Sequence, residues 1–341
     1  MIAGLVALAP PGDVAAQAAA YRDFAGLTRE LRTLADGSRS ATLRSLGASH
    51  QGREIWMVEI ADPDGPPVTQ RPGVLVVGNL SGDHLLGSHL ALEAIRHLLG
   101  EGGAEADLRQ HVVYVVPRLN PDGAERMFSG ARDGGARNAL PFDDDNDGRT
   151  DEDGPGGVDL DRSFQHEYPY WERDAGPYMV SEPESRALMD FMVAHRNVAA
   201  VLTLGHSDNL VAPPTARGEL AAPSTLDLVS FAAASNAGVF DVGVTRAQQG
   251  FGFGGGGFGG GFGGGTRLRG AQRGADNDPN SGRRPATTVD GGDREYFNAV
   301  SEAYREITGV EAVGINRKAE GAFFQFGYYQ YGVPSFSTQG W

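Results

Sequence analysis

Two short polar segments of this 341-residue chain hold residues that could bind a metal ion. Ser81, Asp83 and His84 follow one apolar run of the sequence, and His206 follows another. Imidazole and carboxylate groups are common donors to divalent transition metals in proteins, whereas a neutral hydroxyl is a poor donor. The two histidines are therefore candidate metal ligands, which Asp83 could join, with a pair of hydrogen-bonded loop residues as the alternative.

A second set of oxygen donors lies in the acidic segment 143–153. Aspartates at alternate positions, with Gly148 at the sharp turn, match the first half of a calcium-binding loop. Gly154 occupies the position of the bidentate glutamate, so later aspartates would have to close the coordination shell. The segment predicts a calcium site, with a solvated acidic loop as the alternative. The proposed calcium ligands are Asp143, Asp145, Asp147, Asp151 and Asp153.

Composition excludes several classes of function. The chain has 44 acidic and 29 basic residues and a formal net charge of −15, which argues against nucleic acid or an anionic membrane as the main partner. It contains no cysteine, so disulfides, thiolate nucleophiles and cysteine-bound zinc are excluded. No apolar run reaches the roughly 20 residues of a transmembrane helix.

The segments with candidate chemistry follow predicted strands. Alternating apolar runs and helical periodicity predict an α/β fold with a mixed, mostly parallel central sheet that is flanked by helices on both faces. Ligands of such sheets bind beyond the carboxyl ends of the strands, where these polar segments lie. Ser181 and Glu184 predict a capping box for the third helix. The predicted helices are 21–36, 85–99 and 181–195, and the predicted strands are 42–48, 54–60, 74–77, 112–116 and 198–204.

The two remaining regions have unusual composition. Residues 1–20 combine a short apolar stretch with an alanine-rich one, which predicts a leader for secretion or periplasmic export, with a flexible alanine-rich segment as the alternative. Residues 21–341 are predicted to form one domain with a disordered insertion at about 247–290. The tract 250–265 contains only glycine and phenylalanine, which cannot bury enough surface to offset its backbone entropy. This tract is an inert loop or a site of weak self-association.

Five segments, taken in order, resemble the zinc metallocarboxypeptidases of the carboxypeptidase A type. The resemblance extends from about Tyr21 to the end of the chain, apart from the Gly/Phe tract. It implies a zinc ion held by a His-x-x-Glu pair and a later histidine, a glutamate that acts as general base, and arginines that grip the terminal carboxylate of a peptide. The segments are 78–84, 117–123, 157–164, 204–207 and 331–339.

The resemblance places substituted residues at the reacting centre. The His-x-x-Glu positions fall on Ser81 and His84, the third ligand position falls on His206, and the catalytic glutamate falls on Gln339. An amide cannot act as a base near neutral pH, and the loss of general-base catalysis costs about 10²–10⁴-fold in rate. The resemblance therefore implies a catalytically impaired member of the family.

The substrate side is better preserved. The Asn-Arg pair of the family falls on Asp161 and Arg162, and a further substrate arginine falls on Arg137. The family's tyrosine near the late glutamate has no counterpart, since 316–318 is Asn-Arg-Lys. One hypothesis is a protein that recognises the C-terminal carboxylates of peptides without cleaving them. The alternative is an active carboxypeptidase that builds an altered zinc site from His84, His206 and Asp83.

Overall fold

The computed structural model describes 21–100, 107–129, 135–141, 148–149, 156–170, 172–215, 286–313, 317 and 319–340. The chain divides into one compact unit of Met1–Pro223 and Thr287–Trp341 and another of Ser224–Ala286. All of the structure below belongs to the first unit. The predicted leader, the tract 250–265 and the five proposed calcium ligands lie outside the described residues.

A six-stranded sheet forms the centre of this unit, in the order β1-β2-β4-β3-β5-β6. β3 pairs in parallel with β4 and β5, and β5 pairs in parallel with β6. β2 runs antiparallel to both β1 and β4. The prediction of a mixed, mostly parallel sheet is confirmed. The strands are β1 Ala41–Ala48, β2 Glu54–Ile60, β3 Gly73–Gly78, β4 Val112–Val116, β5 Val198–Leu204 and β6 Ser335–Thr338.

Helices cover both faces of the sheet, as the sequence predicts. Alternate residues of β3 face opposite sides, so Val76 packs in one core with Leu90, and Leu75 packs in the other with Leu188. All residues of β3 and β4 are buried, which explains their uninterrupted apolar sequences. The helices are α1 Phe24–Asp36, α2 Leu85–Leu99, α3 Pro121–Phe128, α4 Pro183–Ala194, α5 Arg294–Thr308 and the single turn α6 Phe323–Phe326. In the described part of the chain, none of them has the length and apolarity needed to cross a bilayer.

The start of α4 corrects one prediction. The helix begins at Pro183, a residue suited to the first helical position, and Glu182 is its N-cap without a side-chain capping bond. The hydroxyl of Ser181 donates instead to Glu182 Oε1 at 2.6 Å, and Glu184 accepts from Asn138. The predicted capping box between Ser181 and Glu184 is therefore wrong, because both side chains take other partners.

Candidate functional site

The candidate site lies where the parallel strands β3, β5 and β6 end. Ser81 and His84 follow β3, His206 follows β5, and Gln339 follows β6. Because carboxyl ends of parallel strands meet at one edge, the fold brings these four residues together. The rings of His84 and His206 are 4.8 Å apart between centroids, and Gln339 Nε2 donates to the carbonyl oxygen of His206 at 2.8 Å.

Ser81 is a hydrogen-bond donor in this site. Its buried hydroxyl donates to Asp159 Oδ1 at 2.6 Å, and the backbone N–H of Asp161 donates to the same oxygen at 3.2 Å. Asp159 is the N-cap of the short turn Leu160–Arg162, which fixes its carboxylate against the β3 loop. The resemblance assigns this position to a metal-binding imidazole, but Ser81 instead donates a hydrogen bond to the buried carboxylate of Asp159.

Asp83 links the β3 loop to the end of β5. Its Oδ1 lies 3.0 Å from His206 Nε2. Burial tends to raise the pKa of Asp83, but the hydrogen bond and the charge of His206 outweigh it, so the pKa is lowered. Asp83 therefore accepts the bond as a carboxylate, and His206 donates.

His84 lies deeper than His206. Burial, followed by the nearby His206, lowers the pKa of His84 to about 4, so its ring is neutral at physiological pH. Within the described ranges, Asp83, His84 and His206 do not place one ligand atom each within 4.8 Å of one another.

These contacts do not fit the zinc ion of the family. A hydrolytic zinc site needs about three converging protein donors and an open position for water. Here the first ligand position holds a neutral hydroxyl that donates to Asp159, and Asp83, His84 and His206 do not converge among the described residues. No catalytic step through zinc can be assigned to this arrangement.

Asp161 and Asp159 form a buried acidic pair beside the site. Burial, and then the charge of Asp159, raise the pKa of Asp161 to about 7. Burial likewise raises the pKa of Asp159. The backbone N–H of Phe323 donates to Asp161 Oδ1 at 3.2 Å, which ties the pair to α6. The position that holds an amide in the family thus carries a carboxyl group that is easily protonated.

Arg162, the predicted carboxylate anchor, is already paired with acidic side chains. Its guanidinium donates to Asp174 Oδ2 at 2.6 Å and also to Glu172. Arg137 lies in the segment beside Gly123 and Gly157. The structure therefore places Arg162 in an internal ion-pair network.

Arg317 is a site residue that the sequence did not predict. Its guanidinium nitrogens lie 3.8 Å from Asp83 Oδ2 and 3.8 Å from Asp159 Oδ2, and 48% of its side chain is exposed. Arg317 lies in the stretch 316–318, where the family's tyrosine has no counterpart. This departure from the family pattern was the sequence feature that could have identified Arg317 as a site residue. Arg317 adds a positive charge to an otherwise acidic site.

Comparisons with known proteins agree with the resemblance. A zinc carboxypeptidase family model matches residues 27–242. Carboxypeptidase D of Mus musculus is 32% identical over 171 residues, which are 45% of this chain and 12% of that protein. Carboxypeptidase D of Drosophila melanogaster is 29% identical over 182 residues, 51% of this chain and 12% of that protein. The chain thus matches only a small part of the length of these relatives.

Solved carboxypeptidase structures are also similar to part of the chain. Carboxypeptidase A from Helicoverpa armigera is 25% identical with a TM-score of 0.46, over 54% of this chain and 45% of that chain. Bovine thrombin-activatable fibrinolysis inhibitor, solved with a tick carboxypeptidase inhibitor, is 15% identical with a TM-score of 0.44, over 54% of this chain and 60% of that chain. Since the family model matches more than half of its residues, this chain belongs to the zinc carboxypeptidase family.

Proposed function

We propose that this chain is a non-hydrolytic member of the family that binds the C-terminal carboxylate of a peptide. The hydrogen bond from Ser81 to Asp159 carries the proposal, because it engages the first ligand position in a contact within the protein. The amide of Gln339 donates to the His206 carbonyl and has no basic lone pair with which to take a proton from water. Both the metal and the general base of the family reaction therefore lack their usual residues.

Arg317 is the proposed anchor for the ligand carboxylate. Its acidic neighbours are 3.8 Å away, which is longer than a normal hydrogen bond, and its side chain is half-exposed. A guanidinium in this state can still present its planar fork to an incoming carboxylate. Arg162 would keep its pairs with Asp174 and Glu172 and hold the wall of the site.

The acidic pair does not exclude an anionic ligand. The pKa of Asp161 is raised to about 7, and that of Asp159 is also raised, so the pair carries less than two negative charges near neutral pH. Arg317 then faces Asp83 and a partly protonated pair. Partial protonation of the pair reduces the repulsion that an incoming carboxylate would meet, and Arg317 supplies the attraction.

A binding assay tests this proposal. Labelled peptides with randomised C-terminal residues are compared, as free acids and as C-terminal amides, by fluorescence anisotropy. The free acids should bind about 10-fold or more tightly, because a charged hydrogen bond contributes about 1.5–3 kcal/mol. Arg317→Ala should remove that preference, whereas Arg39→Ala, at an exposed pair with Asp64, should keep it. Equal binding of acids and amides would refute carboxylate recognition.

A turnover assay separates this proposal from an active carboxypeptidase. The same peptides are incubated with the chain, with and without a chelator, and released C-terminal amino acids are measured by mass spectrometry. We expect no release in either sample. Chelator-sensitive release would refute the non-hydrolytic proposal and favour the alternative, in which Asp83, His84 and His206 rearrange around zinc.

A further inference from the structure

A second cluster of potential metal ligands lies between the β1–β2 turn and the start of α4. His50, Glu182 and Glu184 each offer one ligand atom, and these three atoms all lie within 4.8 Å of one another. Among the described residues, His50, Glu182 and Glu184 are the histidine and carboxylate side chains whose ligand atoms come this close together in a group of three. None of its members belongs to the candidate site described above.

The cluster carries excess buried negative charge. Glu182, Glu184 and Asp122 are all 1% exposed or less. Arg53 Nη1 pairs with Asp122 Oδ1 at 2.6 Å, so the positive charge of Arg53 is matched by Asp122. Among the described residues, His50 is then the basic side chain that pairs with these two buried carboxylates, with its Nε2 2.8 Å from Glu182 Oε2. Burying unmatched charge is costly, so the cluster favours either an extra proton or a cation.

One carboxylate oxygen of the cluster accepts no hydrogen bond of normal geometry from the residues that the structure describes. Glu184 Oε2 accepts from Asn138 Nδ2 at 3.1 Å, and the same amide donates to Glu182 Oε2 at 2.6 Å. Glu184 Oε1 is buried and accepts no hydrogen bond of normal geometry from the described residues. The backbone N–H of Glu184 is close enough to favour the ionised form of its own carboxyl group. A shared amide holds both carboxylates toward each other and leaves one acceptor unsatisfied.

The orientation of Asn138 is set by the backbone. Its Oδ1 accepts from the N–H of Val158 at 2.9 Å and from the N–H of Leu140 at 3.2 Å. The amide nitrogen must therefore point at the two carboxylates. Ser181 adds a hydrogen bond to Glu182 Oε1 at 2.6 Å. Such outer hydrogen bonds are the ones that orient carboxylate ligands around a metal.

We propose that His50, Glu182 and Glu184 bind a divalent transition metal ion, with zinc as the best match. One imidazole, two carboxylates and a water molecule complete the four-coordinate shell that zinc favours. Calcium and magnesium prefer oxygen donors alone, so the imidazole disfavours them. The side chain of His50 is 25% exposed, which gives an ion access from solvent.

A bound cation would match the buried negative charge of Glu182 and Glu184. The bound ion would join the β1–β2 turn to the first turn of α4.

Metal analysis of the full chain tests the inference. The chain is stripped with a chelator, titrated with zinc by calorimetry, and assayed for bound metal after desalting. We expect about one zinc per chain in the unmodified protein and in His206→Gln. His50→Gln should weaken zinc binding by about 10-fold or more, and magnesium should not compete. Glu184→Gln keeps the shape of the carboxyl group and should show the same loss, which guards against a folding defect in one variant.

The alternative outcomes lead to different conclusions. Absence of zinc from the unmodified chain would overturn this inference and leave the proposed function untouched. Zinc that is lost in His206→Gln but kept in His50→Gln would place the ion at the family's site and overturn both proposals. Zinc binding that is equal in all variants would show that the ion binds elsewhere and would also overturn the inference.

Discussion

The hydrogen bond between Ser81 and Asp159 determines how the family's chemistry could be rebuilt. A histidine at position 81 could bind zinc through one ring nitrogen and donate the other N–H to Asp159, the arrangement that orients metal-binding imidazoles in many enzymes. The buried carboxylate would then keep its partner. The site thus retains part of the support that a zinc ligand requires.

Restoring the three family residues should therefore restore metal binding. The triple variant Ser81→His, His84→Glu, Gln339→Glu should bind one zinc more than the parent chain and release C-terminal residues in a chelator-sensitive reaction. Gln339→Glu alone should release none, because a base without a metal-activated water has no acidic proton to take. Metal analysis and the peptide-release assay measure both results. Turnover by the single variant would contradict the zinc-free account of the parent site.

Asp161 predicts a pH dependence of stability. Its pKa is raised from 3.8 to about 7 in the folded chain, chiefly by burial. The folded state binds this proton more tightly than the unfolded state. The protonated Asp161 therefore stabilises the fold fully below about pH 4, and this stabilisation is lost as the pH rises through about 7. Relative to Asp161→Asn, the parent chain should lose up to about 1.4 kcal/mol of unfolding free energy per pH unit across this window.

Urea unfolding across this pH range measures the effect. His84 acts in the opposite direction, because its lowered pKa removes stability as the pH falls from about 6.5 towards 4, but it is present in both proteins and cancels in the difference. Asp64→Asn, at an exposed surface pair, serves as the control and should follow the parent chain. A constant difference between the parent and Asp161→Asn would contradict the raised pKa.

Among the secondary-structure elements, continuous apolar runs were predictable and short polar ones were not. The predicted bounds of β2, β4, β5 and α2 match the structure, because each run is apolar at the period of its element. β6 consists of Ser-Phe-Ser-Thr, and its register depends on bonds such as that from Ser337 Oγ to the Ser207 carbonyl, 130 residues away. No local pattern marks such a strand.

The candidate site shows the same division between local and long-range information. The sequence placed Ser81, His84 and His206 beyond strand ends, because that placement follows from the order of strands and helices. It did not predict that Arg162 pairs with Glu172 and Asp174, or that Arg317 approaches Asp83. Those pairings depend on how loops pack after the sheet has formed.

The absence of a side chain at Gly87 lets α2 pack closely against the end of β5 and against His84. A Cβ at this position would lie 2.4 Å from the Leu204 carbonyl oxygen and 2.6 Å from His84 Nδ1. Gly87→Ala should therefore force α2 away from the end of β5 and cost about 1–3 kcal/mol of stability. Gly291→Ala, where no atom of the described residues lies within 4 Å of the added Cβ, should be nearly neutral. Urea unfolding of both variants checks this, and equal stabilities would contradict the close packing of α2.

For the whole molecule, the Gly/Phe tract 250–265, which lies outside the described residues, is still predicted to be dispensable for the fold. Glycine and phenylalanine alone supply too little buried surface for a packed layer. Deletion of this tract should shift the Tm of the remaining protein by less than about 4 °C, as measured by calorimetry. Analytical ultracentrifugation of the same variant tests weak self-association. A larger fall in Tm would show that the tract supports the fold.

The parallel pairing of β6 with β5 also sets an order of events during protein synthesis. Hydrogen bonds between these regions join residues about 130 positions apart, such as Ser337 and Ser207. At translation speeds of about 5–20 residues per second, roughly 6 to 26 s separate the synthesis of the two partners. During that interval the emerging chain exposes the unpaired edge of β5 and has no Gln339 beside His206. The edge of β5 therefore stays open to non-native strand pairing until β6 emerges, and the candidate site is complete only once β6 and Gln339 are in place.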